Sequence, residues 1–391
     1  MERISNVIKR KLIYISFIRL TDKVSRDWYI DFCIKKNTVV EYWDIVSLVR
    51  EEHDEKGASA PDYLRYIKTY KELELLIRKT ENNEAVYVML ISYSGRFSKP
   101  YRLLSKYNCK MVFLNWGAMP TTVSSPRWQR IVYRFISNPG NFALTVIDLI
   151  AGNTLRKLDI VKRFDVVFTA GQVLTEVDQY AKKVVPFNLC DFEHFKQYEF
   201  SAEKKVKGKY AVFLDINLAY QSDLAHCGLP AVTADSYFQS LNRFFDLLEK
   251  THGLKVVIAA HPKANYAGHE FEQREHYRML TAELVKNAEF VITHTSTALS
   301  YAVLNFKPVF FIYTDEMLKI YQDTVIRQIE GLATYFNVKS YNIDQITDGS
   351  QIVIQSPSFE RYNSYKYSYL TSYKSENSLS SEIFFHEVNS I

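Results

Sequence analysis

The chain has 391 residues, 47% of them hydrophobic and 24% charged, with a net charge of +5. That is long enough for two domains, each with its own core, and too apolar for a disordered chain. The mild basic excess suits an anionic substrate or an anionic membrane surface, but it is too diffuse for nucleic acid, and no zinc-finger or RNA-recognition signature is present.

In chain order, "MERISNVIKRKLIYISFIRL" has cations and then a short apolar run interrupted by Arg19. It lacks a small-residue cleavage site, so it reads as a first strand and not as a signal peptide. "DKVSRDWYIDFCIKK" has helical spacing and "TVVEYWDIV" is a strand. "APDYLRYIKTYKELELLIRKT" is helical, with Pro61 near its start, where a missing N–H matters little. Strand "AVYVMLISYS", helix "KPYRLLSKY" and strand "KMVFLNWG" follow, then a helical region over about 127–156, then strands "FDVVFTAG" and "KKVVPFNL". "FALTVIDLIAG" (Phe142–Gly152) is broken by Asp148 and is shorter than the roughly 18 residues of a spanning helix, so no transmembrane segment is expected.

The polar stretch "CDFEHFKQYEFSAEKKVKGK" reads as a junction, after which the alternation restarts. Strand "KYAVFLDINL" leads into a helix from Asp235, its expected N-cap, to a stop at Gly253. Then come strand "KVVIAA", helix "ELVKNA", strand "FVITH", helix "TALSYAVLN" and strand "PVFFIY". The tail from Ser356 is rich in Tyr, Ser and Asn and has no clear period. Continuous Val/Ile/Phe runs between helices mean strands covered on both faces, hence parallel sheets. The expected fold is α/β: two Rossmann-like parallel-sheet domains facing across a cleft, 1–190 and 191–391, with the tail 356–391 a candidate to cross back. Cys33, Cys109, Cys190 and Cys227 are far apart and form no CxxC, which reads as reduced, buried thiols in a cytosolic protein.

Ligands of such sheets bind beyond the carboxyl ends of the strands. "VVIAAHPKANY" puts His261 at such an end, where an imidazole can donate to a phosphate oxygen or protonate a leaving group. Pro262 fixes the turn and Lys263 adds a mobile positive charge. The alternative is a loop histidine bonded to a carbonyl. "FVITHTSTALSYAVLN" repeats the pattern: His294 ends a strand, and Thr295, Ser296 and Thr297 open the next helix, where free N–H groups, the positive dipole end and hydroxyls favour phosphate. An ordinary N-cap explains one of those hydroxyls but not three. Asp215 ends the strand "YAVFLD", and Asp223 lies just beyond in a looser segment. Either carboxylate can deprotonate an acceptor hydroxyl, and either can be a loop or capping aspartate; Asp215 is favoured because the sheet fixes it. Glu283 can bond a ribose or base edge, or be a first-turn glutamate favoured by the dipole. His269 and His276 read as solvated loop residues.

Neither GxGxxG nor GxxxxGK[ST] occurs, so no dinucleotide fingerprint or P-loop is indicated. With no Asp-x-Asp and no HExxH, nothing requires a metal, and no cofactor is expected.

The "HP" pair at a strand end, followed some 35 residues on by "HTST" at a helix start, resembles the HP and Ser/Thr motifs of bacterial GT-B glycosyltransferases, most closely sialyltransferases and capsule Kdo transferases. "DWYIDFCIKKNTVVEYWDIV" and "AAHPKANY" also look like proteins of surface-polysaccharide gene clusters. The resemblance covers the C-terminal half by motif and the N-terminal half by architecture. It lacks the sialyltransferase Asp/Glu-Asp/Glu-Gly motif. It implies that His261, Ser296 and Thr297 hold a nucleotide phosphate and that Asp215 or Asp223 serves as base or nucleophile. It also implies a sugar-nucleotide donor, with a CMP-sugar favoured, and a glycan or lipid-linked glycan acceptor bound by the N-terminal domain. The enzyme would be cytoplasmic, with peripheral contact at the inner membrane face. CDP-glycerol-type phosphotransferases share these motifs, and a non-catalytic scaffold subunit is the third reading.

Overall fold

The computed structural model describes residues 10–48, 61–116, 119–120, 139–199, 204–220 and 230–391. The described residues fall into two compact units. Unit 1 holds those up to Trp116, those from 139 to 188 and those from 371 to 391; unit 2 holds those from 189 to 370 together with Met119 and Pro120.

Unit 1 runs β1 (Lys11–Ser16), α1 (Asp22–Asp27), α2 (Ile30–Lys35), β2 (Val40–Asp44), β3 (Leu64–Tyr66), α3 (Tyr70–Lys79), β4 (Ala85–Met89), α4 (Ser98–Lys106), β5 (Lys110–Asn115), α5 (Pro139–Lys157), β6 (Phe164–Ala170) and β7 (Ala181–Phe187). Its seven strands lie in the order β3-β2-β1-β4-β5-β6-β7, every pair parallel. The apolar runs explain this: all five residues of β4 are buried, as a strand covered on both faces must be.

Unit 2 runs α6 (Cys190–Tyr198), β8 (Tyr210–Leu214), α7 (Ala234–His252), β9 (Lys255–Ala260), β10 (His276–Arg278), α8 (Thr281–Asn287), β11 (Val291–Thr293), α9 (Leu299–Leu304), β12 (Val309–Tyr313), α10 (Asp315–Tyr321), α11 (Arg327–Phe336), β13 (Ser340–Asn342) and α12 (Phe359–Tyr365). Its six parallel strands lie in the order β10-β9-β8-β11-β12-β13. In each sheet the chain lays down three strands in one direction, returns, and continues on the other side of the first. This is the Rossmann order, and its switch point lies between β1 and β4 in unit 1 and between β8 and β11 in unit 2.

Several local expectations change. The segment read as one helix after Thr21 breaks at Tyr29, which sits at φ 61, into α1 and α2. The helix expected from Pro61 is the edge strand β3 followed by α3. Thr69 caps α3, its side chain accepting the Glu72 N–H. The N-cap of α7 is Thr233 and not Asp235, which lies in the first turn where the dipole favours an acid; Gly253 ends the helix at φ 61. The expected 127–156 helix is described only from Pro139 onward. His276 lies on the edge strand β10 and not in a loop.

The tail is also ordered. Residues 380–390 form α13 (Ser380–Ser390), whose Phe384 packs on Tyr29 and Phe168 of unit 1 with ring centroids 5.6 and 5.2 Å apart. The Asn188 side chain donates to the carbonyls of Ser375 and Ser378, at 3.0 and 2.8 Å. The Tyr/Ser richness hides this helix because its apolar residues contact a surface far away in sequence. Cys33 and Cys109 are buried free thiols, Cys190 is half-buried, and Cys227 lies outside the described residues.

Candidate active site at the strand ends of unit 2

Register places the candidate residues. Leu214 pairs with Ala259 on one side and with Thr293 on the other, so Asp215, Ala260 and His294 stand level across three adjacent strands. With neighbouring strands about 4.8 Å apart, the ends of β9 and β11 are roughly 10 Å from each other, with β8 between them.

Asp215 is the hub of this edge and is buried, at 5% exposure. Its Oδ1 accepts the Asn217 N–H at 2.8 Å and its Oδ2 the His261 N–H at 3.1 Å. The Tyr266 hydroxyl also donates to Oδ2. Burial pushes the Asp215 carboxyl above its ordinary range, against the hydrogen bonds from Tyr266, His261 and Asn217 that pull it down. A carboxylate enclosed this way fixes other groups. Both oxygens are engaged by the protein, and these bonds tie the loop that carries His261 to the end of β8. Asp223 lies outside the described residues.

His261 is half-buried. Its carbonyl accepts the Ala264 N–H at 2.9 Å, closing a turn with Pro262 at the second position. Its Nδ1 accepts the Lys263 N–H at 3.2 Å. In the neutral ring this puts the proton on Nε2, which makes that nitrogen a donor. Pro262 and Lys263 are exposed. The loop is held from below as well: Glu270, at 3% exposure, accepts the N–H groups of Ala267, Gly268 and His269.

His294, the other strand-end histidine, is fully enclosed. Its Nδ1 faces the Ile312 carbonyl at 2.7 Å and its Nε2 the Tyr237 hydroxyl at 2.8 Å. Burial holds its pKa down at about 4. This gives a pH test. In the unfolded chain the ring titrates near 6.5. Between those values the unfolded state binds the extra proton, so stability is full above the unfolded pKa and falls as pH drops toward the folded one. The expected loss between pH 7 and pH 5 is about 2 kcal/mol at 1.36 kcal/mol per unit. Urea midpoints of His294→Asn should show a flatter pH dependence than those of the unsubstituted chain; parallel slopes would contradict the assignment.

The three hydroxyls after His294 divide their work. The Thr295 hydroxyl reaches Gln328 Oε1 at 3.4 Å, Ser296 Oγ accepts the Ala298 N–H at 3.3 Å, and Thr297 is exposed. The helix they precede, α9, has six residues and its N-cap is Ala298, so its dipole is short and the turn's own N–H and hydroxyl groups dominate. Glu283 is half-buried in the first turn of α8, and its carbonyl accepts from the Asn287 side chain at 3.1 Å.

Two residues at this edge went unnoticed in the sequence. Tyr266 follows His261 by five residues, a lone aromatic in a polar loop, and its hydroxyl ties the loop to β8. Asn217 adopts φ 55, a conformation asparagine tolerates, and its Oδ1 is buried with no hydrogen-bond partner among the described residues. The aspartate–isoleucine–asparagine run after a strand is the available signal. Around them, Tyr220 is exposed and lies 5.8 Å from the Phe238 ring and 6.3 Å from that of Tyr266. Among the described residues no group of three or more His, Cys, Asp or Glu could hold a metal ion. No described helix is long and apolar enough to cross a membrane.

No family model matches the sequence, and no curated protein does. Solved structures match it at low identity. The calicheamicin glycosyltransferase CalG4 is 11% identical over 88% of this chain and 87% of its own, with a TM-score of 0.43. The S. aureus MnaA–UDP co-structure is 12% identical over 97% of this chain and 96% of its own, with a TM-score of 0.49. The wall teichoic acid polymerase TagF, in a form soaked with CDPG, is 13% identical over 98% and 88%, with a TM-score of 0.48. The two-sheet architecture itself stands on the strand order of each unit of this chain.

Proposed function

We propose that the chain is a glycosyltransferase whose unit 2 binds a sugar nucleotide at the carboxyl ends of β8, β9 and β11. The observation that carries this reading is the buried Asp215 carboxylate holding the His261 N–H and the Tyr266 hydroxyl at a Rossmann switch point. A buried charge spent on fixing a histidine loop at that edge supports a ligand-binding role for the histidine, and the HP and Ser/Thr resemblance says which ligand. In this reading His261 donates from Nε2 to the nucleotide phosphate and stabilises it as it leaves. Lys263 adds positive charge, and Ser296 and Thr297 offer hydroxyls from the neighbouring strand end. The unpartnered Asn217 Oδ1 accepts from a donor on the ligand. With Asp215 engaged, Asp223 is the candidate base toward a glycan or lipid-linked glycan acceptor. A CMP-activated acidic sugar of surface-polysaccharide synthesis is the donor favoured by the resemblance.

A thermal-shift panel of CMP, CDP, UDP, GDP and ADP tests it. A bound nucleotide at 100 times its dissociation constant adds about 2.7 kcal/mol to stability. One cytidine nucleotide should stabilise the protein clearly more than the others. If none of the five stabilises it, the reading fails. Turnover assays with CMP-sugar and with CDP-glycerol then separate glycosyl transfer from phosphoalditol transfer, and binding without turnover identifies a scaffold.

A further inference from the structure

We propose that unit 1 docks on an anionic lipid surface through the outward face of α5 and the basic groove that adjoins it. Exposed apolar side chains concentrate here. Of the twenty large hydrophobic residues left exposed among those described, five fall between 147 and 160: Ile147, Leu149, Ile150, Leu158 and Ile160, at 42–64% exposure. Ile147, Ile150 and Leu158 are spaced i, i+3 and i+11, so they share one face of the helix; Leu158 continues it, donating its N–H to the Thr154 carbonyl at 2.9 Å.

The opposite side of α5 is fixed to unit 1. The Tyr93 hydroxyl donates to the Gly152 carbonyl at 2.8 Å, and a Cβ on Gly95 would clash with the Asp148 carbonyl oxygen. Arg156 is held between the rings of Tyr93 and Tyr180, 3.9 and 3.8 Å from their centroids. The helix is thus seated with its apolar stripe facing solvent.

Charge chooses the occupant. Directly after Leu158, Ile160 lines a groove of about 580 Å³ whose cations, Lys99, Arg102, Lys106 and Lys162, outnumber its carboxylates, Glu74 and Asp159. Lys106 is paired with Glu74 at 2.7 Å and Lys162 with Asp165 at 3.3 Å, whereas Lys99 stacks on the Tyr70 ring at 4.0 Å and Arg102 is exposed. An apolar stripe that leads, through Ile160, into a groove carrying Lys99 and Arg102 fits a helix lying in the headgroup layer of an anionic membrane. The groove sets four cations against two carboxylates, Glu74 and Asp159, so a second copy docked through the same face would bring like charges together.

Co-sedimentation of the full chain with vesicles tests the proposal. The protein should pellet with vesicles of equal parts phosphatidylglycerol and phosphatidylcholine, not with phosphatidylcholine alone, and release in about 0.5 M salt, where screening shortens to a few ångströms. Lys99→Glu with Arg102→Glu should lower partitioning about tenfold or more. Ile147→Ser with Ile150→Ser should lower it similarly. All four sites are exposed, and circular dichroism should be unchanged. No binding of the unsubstituted chain to the anionic vesicles overturns the proposal, as does undiminished binding of both variants. So does sedimentation equilibrium showing a dimer that the serine pair dissolves, since the face then belongs to a second copy. Nucleotide binding plays no part in these readouts, so their outcome is independent of the function proposed for unit 2.

Discussion

His261→Ala should lower nucleotide affinity ten- to a hundredfold and leave the fold intact. A hydrogen bond to a charged phosphate is worth roughly 1.5–3 kcal/mol, and each 1.4 kcal/mol is about tenfold in affinity. The fold should survive because the His261 main chain ties the loop down. The N–H goes to Asp215 and the carbonyl receives Ala264, and alanine keeps both. The Lys263 N–H loses its partner at an exposed position, where water replaces it. Titration calorimetry of both proteins with the nucleotide found most stabilising measures the effect. Equal affinities in a well-folded variant would mean that the ring serves the loop and not a ligand.

The second large effect belongs to Asp215→Asn, where a catalytic and a positioning role predict different outcomes. A catalytic base replaced by its amide would abolish transfer and leave nucleotide binding unchanged. The enclosed carboxylate predicts that binding itself falls. Its two oxygens accept from Asn217, His261 and Tyr266. An amide has one oxygen, so whichever way it turns, an N–H faces either the Asn217 or the His261 main-chain N–H. A buried donor left without an acceptor costs about 1–3 kcal/mol. Removing a charge that burial already disfavours offsets part of this, so the stability loss should fall at the lower end. The tyrosine and histidine ends of the loop are then no longer held to the sheet, and affinity should drop about tenfold with them, since a 1.4 kcal/mol misplacement suffices. Urea midpoints and titration calorimetry on the same preparation separate the two effects. Unchanged affinity with lost turnover would restore Asp215 as the base.

The sequence discloses the sheets well and the chemistry of their edges less well, for physical reasons. "KVVIAA" is six apolar-rich residues bounded by a glycine-terminated helix and a proline, and β9 occupies those six positions. Such a strand is defined locally. By contrast β3 is three residues long at the sheet edge, and nothing in "LRY" outweighs the helical spacing beside it. The tail helix α13 is held by contacts to Tyr29, Phe168 and Asn188, hundreds of residues away, so its own sequence has no period to show. At the site, His261 was visible because a turn-forming proline follows it at a strand end. His294 had the same local signature. What separates the two is burial: Tyr237, from the core stripe of α7, and the Ile312 carbonyl of β12 close over His294, while the turn after β9 carries His261 outward. Neither partner is detectable from the residues around His294.

Hydrogen–deuterium exchange with the preferred nucleotide tests the central claim most directly. If unit 2 binds it at the ends of β8, β9 and β11, amides of Asp215–Tyr220, His261–Tyr266 and His294–Ala298 should slow on addition of nucleotide. The slowing should be lost, at the same nucleotide concentration, in His261→Ala. Protection confined to unit 1, with those three segments unchanged while calorimetry reports binding, would contradict the assignment of the nucleotide to this edge.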